Sequence, residues 1–181
     1  MINFAANFGN MRKDITNVVF DFGGVIAPAD LGVVIGKFRD LGVRDIEKYL
    51  NLVCQQGFFS TVPERNLELF RRLRSEGYRL SLLSNTNPFV AEWFLSKEFD
   101  GHGHSLDEYL DSIYLSYELK VMKPDERIFR LMLQAENVAP SQVLFIDDGS
   151  RNVEAARNVG INAIHATNGE DWTEAVLRFL A

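Results

Sequence analysis

The sequence predicts an α/β fold: a Rossmann-like doubly wound parallel sheet with a small helical insert after its first strand. Three observations lead to it. Short apolar runs recur at residues 17–21, 80–84, 112–116, 143–147 and 161–165. Several of these are apolar almost without interruption, as strands buried on both faces are. Helical patterns lie between them, and alternating strand and helix implies a parallel sheet with helices on both faces.

Taken in order, residues 1–16 read as a tail and the first strand ends on Asp21. Leu31, Val34, Ile35 and Phe38 then form one amphipathic helix and Ile46, Tyr49, Leu50 and Val53 another, a helical hairpin inserted over residues 30–60. Pro63 starts a core helix carrying Leu67, Phe70 and Leu73, which Gly77 ends. After the second and third strands, Pro124 opens a helix whose apolar face is Ile128, Leu131, Met132 and Ala135. Gly160 ends the helix before the fifth strand, and Asp171 leads into a last helix with Trp172, Ala175, Val176 and Phe179 on one face. The core is therefore expected over residues 17–29 and 61–181, with the insert between.

A chain of 181 residues, 46% apolar, buries one sizeable core with a small appended lobe. Its net charge of -6 disfavours a sequence-independent grip on nucleic acid or an anionic membrane, and a small soluble substrate fits better. The single cysteine, Cys54, has no internal disulfide partner and reads as a packed apolar side chain in a reducing cytoplasm. No apolar run approaches the ~18 residues of a membrane span, and Arg12 follows the first apolar stretch, the reverse of a secretory signal.

In an open parallel sheet, ligands bind beyond the carboxyl ends of the strands. The polar residues there are Asp21, Ser84, Asp147 and Asp148, with Lys123 in the loop that precedes a helix. Singly, each has a structural explanation as a cap, a turn or a solvated lysine. Together they supply an acidic pair for a divalent cation, a hydroxyl donor and a lysine. Phosphoryl transfer needs such a set, because its main demands are positioning and charge neutralisation. A carboxylate can serve as nucleophile by forming an aspartyl phosphate.

The segments Phe20-Asp21-Phe22-Gly23-Gly24-Val25, Leu83-Ser84-Asn85-Thr86, Lys123-Pro124-Asp125 and Phe145-Ile146-Asp147-Asp148-Gly149-Ser150-Arg151-Asn152 resemble, in order, the four motifs of the haloacid dehalogenase superfamily. The resemblance implies a magnesium-dependent phosphatase acting on a small phosphorylated metabolite. Asp21 would be nucleophile and metal ligand, with the Gly23 carbonyl and Asp148 as further ligands. Ser84, Asn85 and Lys123 would bind the phosphate, and Asp147 and Asn152 would support the metal site from behind. Lys120 lacks the following Pro-Asp and is the weaker lysine. The branch it looks most like contains bacterial sugar-phosphate phosphatases similar to alpha-glucose-1-phosphatase.

Two departures from the family pattern matter. Most phosphatases of the superfamily carry an acid/base carboxylate two residues after the nucleophile, where this chain has Gly23. General acid help is worth ~10²- to 10⁴-fold, so a substrate with a good leaving group is expected, such as an anomeric sugar phosphate or an acyl phosphate. The insert is also short, about 30 residues or two helices, against the four-helix cap usual in relatives. The apolar faces of such a half cap need cover from the core or from a second subunit, which makes homodimerisation through the cap a hypothesis. An incomplete lid also implies low, broad activity.

A catalytically weak or inactive relative that binds a phosphometabolite or a protein partner is the alternative. A two-component receiver domain has its acidic pair before the phosphoacceptor, the reverse of the order here. A carbon–halogen hydrolase needs no cation, against the Asp148 site. His102 and His104 read as exposed loop, His165 as a structural polar residue, and Trp93, Phe94 and Phe99 as packing.

Overall fold

A computed structural model of the protein describes residues 11–28 and 62–181. The tail up to residue 10 and the helical insert expected at 30–60, with Cys54 and the faces on which cap dimerisation rests, lie outside the described residues.

Five strands form one parallel sheet: β1 (Asn17–Phe20), β2 (Arg79–Ser84), β3 (Ser112–Leu115), β4 (Val143–Asp147) and β5 (Asn162–His165), in the order β3-β2-β1-β4-β5. The helices are α1 (Glu64–Ser75), α2 (Pro88–Phe94), the single turn α3 (Ser116–Leu119), α4 (Glu126–Glu136), α5 (Ser150–Asn158) and α6 (Thr173–Leu180). The doubly wound fold read from the sequence is the fold observed.

The uninterrupted apolar runs are explained by burial on both faces. Val18, Phe20, Leu80, Leu82, Leu144 and Ile146 pack on one face with Leu67, Phe70 and Leu73 of α1 and with Val176 and Leu180 of α6. Val19, Leu83, Val143 and Phe145 pack on the other with Ile128, Phe129 and Met132 of α4 and with Ala155 and Ala156 of α5. Edge-on aromatic pairs join sheet to helix on both sides, Phe20 with Phe70 at 4.9 Å and Phe129 with Phe145 at 5.4 Å between ring centroids. Trp93, Phe94 and Phe99 gather around Phe22 as packing.

Punctuation follows the backbone. Pro63 precedes α1, Gly77 and Gly160 adopt positive φ after α1 and α5, and the Asp125 carboxylate accepts the Arg127 N–H at the start of α4. Pro124 lies just outside α4 rather than in its first turn.

The face expected for α4 needs correction. Ile128 and Met132 are buried, but Leu131 is 42% exposed and Ala135 is exposed, while Phe129 and Leu133 are buried instead. The helix is turned towards Phe129 because Glu136, on the same side, enters a polar cluster at the amino end of the sheet. Its carboxylate accepts from Asn17 Nδ2 at 3.0 Å, Arg79 Nε at 2.6 Å, Ser81 Oγ at 2.9 Å and the Tyr114 hydroxyl at 2.8 Å. An apolar period cannot register a face centred on a carboxylate. Among the described residues, no helix is long and apolar enough to cross a membrane.

Candidate active site

β1 is central, with later strands added on one side as β2 and β3 and on the other as β4 and β5. The strand order therefore reverses between β1 and β4, and that is where an open α/β sheet leaves a crevice at its carboxyl edge. Asp21 immediately follows β1 and Asp147 ends β4, so the two carboxylates stand on the two sides of the switch point.

One lysine joins them. Lys123 Nζ lies 2.8 Å from Asp21 Oδ1 and 2.6 Å from Asp147 Oδ2, with no exposure of the lysine side chain. Asp21 Oδ1 also accepts the Phe22 N–H at 2.7 Å. Asp147 Oδ1 accepts the Gly149 N–H at 2.7 Å and Asn152 Nδ2 at 2.9 Å. Asp147 is thus engaged through both oxygens.

The carboxylate of Asp148 rests on the Gly24 backbone: a Cβ on Gly24 would fall 2.1 Å from Asp148 Oδ2, and φ at Gly24 is +75°. Asp21, Asp147 and Asp148 each offer an oxygen, all within 4.8 Å of one another. His165, at the end of β5, bonds the Asp148 carbonyl through Nε2 at 2.8 Å, a structural contact as expected.

Charge at this edge does not balance. Three carboxylates face one ammonium, and burial pushes Asp21 up to about 6, with the Asp147 charge adding to it against the pull of Lys123 and the Phe22 N–H. Asp148 is raised for the same reasons, burial first and Asp147 next. Burial alone would lower Lys123, but the two carboxylates outweigh it and raise its pKa. A hard divalent cation is the partner that such an oxygen-only, over-negative cluster suits.

Ser84 ends β2 beside β1 and is 2% exposed. The side chain of Asn85, expected on the phosphate, is turned instead to the backbone of Lys123: Oδ1 accepts the Lys123 N–H and Nδ2 donates to the Lys123 carbonyl, both at 2.8 Å. Gly23 bridges to Ala27 in the loop after β1. Lys120 is exposed with φ 57°, so it does not compete with Lys123.

Two residues that brace this loop are not apparent in the sequence. Trp172 Nε1 donates to the Val25 carbonyl at 2.9 Å, and Asn66 Nδ2 donates to the carbonyls of Val25 at 3.2 Å and Ile26 at 2.9 Å. Away from the site, His104 Nδ1 pairs with Asp100 at 2.8 Å and His102 with Glu64 at 3.3 Å, in an exposed loop.

Residues 36–160 match the haloacid dehalogenase-like hydrolase family. A D-ribitol-5-phosphate phosphatase of Bacteroides thetaiotaomicron is 35% identical, over 88% of this chain and 96% of that protein. Among solved structures, a HAD-like family hydrolase predicted in Porphyromonas gingivalis aligns with a TM-score of 0.80 at 31% identity, covering 92% of this chain and 98% of that one. A HAD family enzyme of Bacteroides thetaiotaomicron, in complex with magnesium and inorganic phosphate, aligns with a TM-score of 0.78 at 26% identity, covering 89% and 98%.

Proposed function

The chain belongs to the haloacid dehalogenase-like hydrolase family, and we propose that it is a magnesium-dependent phosphatase of small sugar or polyol phosphates working through an aspartyl phosphate on Asp21. The observation that carries this is the Lys123 ammonium shared between Asp21 and Asp147 beside a third carboxylate, Asp148.

In this reading Asp21, Asp148 and the Gly23 carbonyl hold magnesium, which supplies charge neutralisation for the phosphoryl oxygens when bound. Lys123 and Ser84 bind those oxygens, and Asp147 with Asn152 keeps Lys123 in place. Asp21 Oδ1 is pinned by Lys123 and Phe22, which orients the carboxylate. It attacks phosphorus, a carboxylate–phosphorus bond forms and the ester bond breaks. The leaving oxygen takes its proton from water, since Gly23 offers none. Water then cleaves the acyl phosphate, releasing phosphate and restoring Asp21.

The two indications of substrate differ. The relative's name points to a primary-alcohol phosphate; Gly23 favours a better leaving group. A metabolite of this class, with one cysteine in the chain, fits the cytoplasm.

The test is hydrolysis, with magnesium, of ribitol 5-phosphate, an anomeric sugar phosphate and an acyl phosphate, by the protein and by its Asp21→Asn variant. The variant should lose turnover entirely. Retained magnesium-dependent turnover removes Asp21 as nucleophile, whereas faster turnover of the primary ester removes only the leaving-group expectation.

A further inference from the structure

Lys123 is a buried residue in a surface segment. It lies between α3 and α4, outside regular structure, and is 3% exposed while its neighbour Met122 is 59% exposed. Its ammonium has to reach two carboxylates at once, 2.8 Å and 2.6 Å away. A lysine stem has many rotamers, so the ammonium is placed only as well as the backbone that carries it.

That backbone is held by Asn85. The carboxamide takes the Lys123 N–H on Oδ1 and gives a hydrogen to the Lys123 carbonyl, the pairing that a peptide group of a neighbouring strand would make. Two bonds fix the amide's rotation as well as its position. The next residue is tied in the same way to the start of α3, just past β3: the Thr86 N–H donates to Ser116 Oγ at 3.1 Å, and the Ser116 hydroxyl donates back to the Thr86 carbonyl at 3.3 Å. The segment after β2 thus continues the sheet's lateral pairing by side chains where strand pairing has stopped.

We propose that Asn85 is a positioning residue that sets the backbone of Lys123, and so holds its ammonium between Asp21 and Asp147 in fixed register with the adjacent Ser84. This rests on reading the site as one for phosphoryl transfer. It assigns the Asn85 side chain to the lysine and not to the phosphate. Both polar atoms of the Asn85 carboxamide are engaged on Lys123, and a direct phosphate ligand would have no need of the acceptor bond to the Lys123 N–H.

The test compares wild type with Asn85→Ala, which deletes both bonds, and Asn85→Asp, which keeps the acceptor and sets an oxygen against the Lys123 carbonyl. Acetylation of Lys123 by acetic anhydride, read by peptide mass spectrometry, reports the lysine without reference to turnover. In wild type the residue should be protected. In both variants, at an intact thermal transition, it should label at least about tenfold faster, with kcat falling roughly 10- to 100-fold. Unchanged protection of Lys123 in either folded variant, with weaker inhibition by inorganic phosphate, overturns the proposal in favour of direct phosphate contact. If the alanine variant does not fold, the aspartate variant decides. A wild-type protein silent on every phosphate ester would remove the phosphatase reading and leave the labelling comparison to stand by itself.

Discussion

Lys123 and Asp147 meet at 2.6 Å with neither side chain exposed, and the other Asp147 oxygen is filled by the Gly149 N–H and the Asn152 amide. One strand, two loops and one helix are therefore joined at one carboxylate. Removing it strands the Lys123 ammonium against Asp21 alone and frees two donors. Breaking a buried pair from one side typically costs about 3–5 kcal/mol. Asp147→Ala should lose that much in urea unfolding of the metal-free protein. Asp147→Asn should lose less, because an amide oxygen can still accept from Gly149 and Asn152. Equal stability of the alanine variant and wild type would show the pair to be energetically idle.

Gly24 should be irreplaceable for the metal rather than for the fold. An added Cβ would meet Asp148 Oδ2 at 2.1 Å and Cγ at 2.5 Å, at a φ of +75° that side chains rarely adopt. The carboxylate has to swing away, and it is one of three oxygens within 4.8 Å of one another. Gly24→Ala is expected to cost about 1–2 kcal/mol of stability from the backbone alone and to weaken magnesium binding at least about tenfold, as losing a ligand or its orientation does. Titration calorimetry with magnesium alone checks this; unchanged affinity would separate Asp148 from the metal.

The central strands β1, β2 and β4 were legible because parallel strands buried on both faces carry an unmistakable apolar signal, and the residues at their carboxyl ends, Asp21, Ser84, Asp147 and Asp148, followed from topology. What was hidden has a physical reason in each case. α5 was read only from its end at Gly160, because it buries only Val153, Ala155 and Ala156, too small a stripe to read as a period. The face of α4 was misjudged because its centre is Glu136. The supports of the site are side-chain to backbone bonds across long separations, 38 residues for Asn85 and Lys123 and 147 for Trp172 and Val25. Such bonds leave no pattern in a sequence, since the accepting carbonyl belongs to any residue type.

Glu136 also predicts an acid limb of stability. Burial alone would raise its carboxyl, but hydrogen bonds from Arg79, Tyr114 and Ser81 outweigh that and hold it below the ordinary range. A carboxyl whose folded pKa is depressed contributes stability that is present above its unfolded value and is lost as pH falls through the folded one. The unfolded chain binds the extra proton in that window, so stability should fall with decreasing pH from the ordinary glutamate range downward. Glu136→Gln should flatten this limb while lowering stability at neutral pH. The Arg79 partner is 51% exposed, so solvent screens its share of the effect. Urea midpoints between about pH 3 and 7 decide it; an unchanged acid limb in the variant would assign the limb to other carboxyls.

The loop after Asp21 is fastened from two directions, and the fastening should be cooperative. The Val25 carbonyl accepts the Trp172 indole N–H at 2.9 Å and the Asn66 amide at 3.2 Å, and the Trp172 ring also packs on Phe20 at 5.6 Å between centroids. Trp172→Phe keeps most of the packing and leaves the carbonyl with Asn66. Asn66→Ala leaves it with Trp172, and also removes Asn66 Oδ1, a buried acceptor without a partner among the described residues, which offsets part of the loss. Only the double variant leaves the Val25 carbonyl without a partner, at about 1–3 kcal/mol for an unsatisfied buried group. The double variant should therefore lose more than the sum of the single losses, by about 0.5 kcal/mol or more. Because the loop begins one residue after Asp21, turnover should fall in step with that excess. Strict additivity in urea unfolding would mean that the carbonyl finds another partner when both donors are gone.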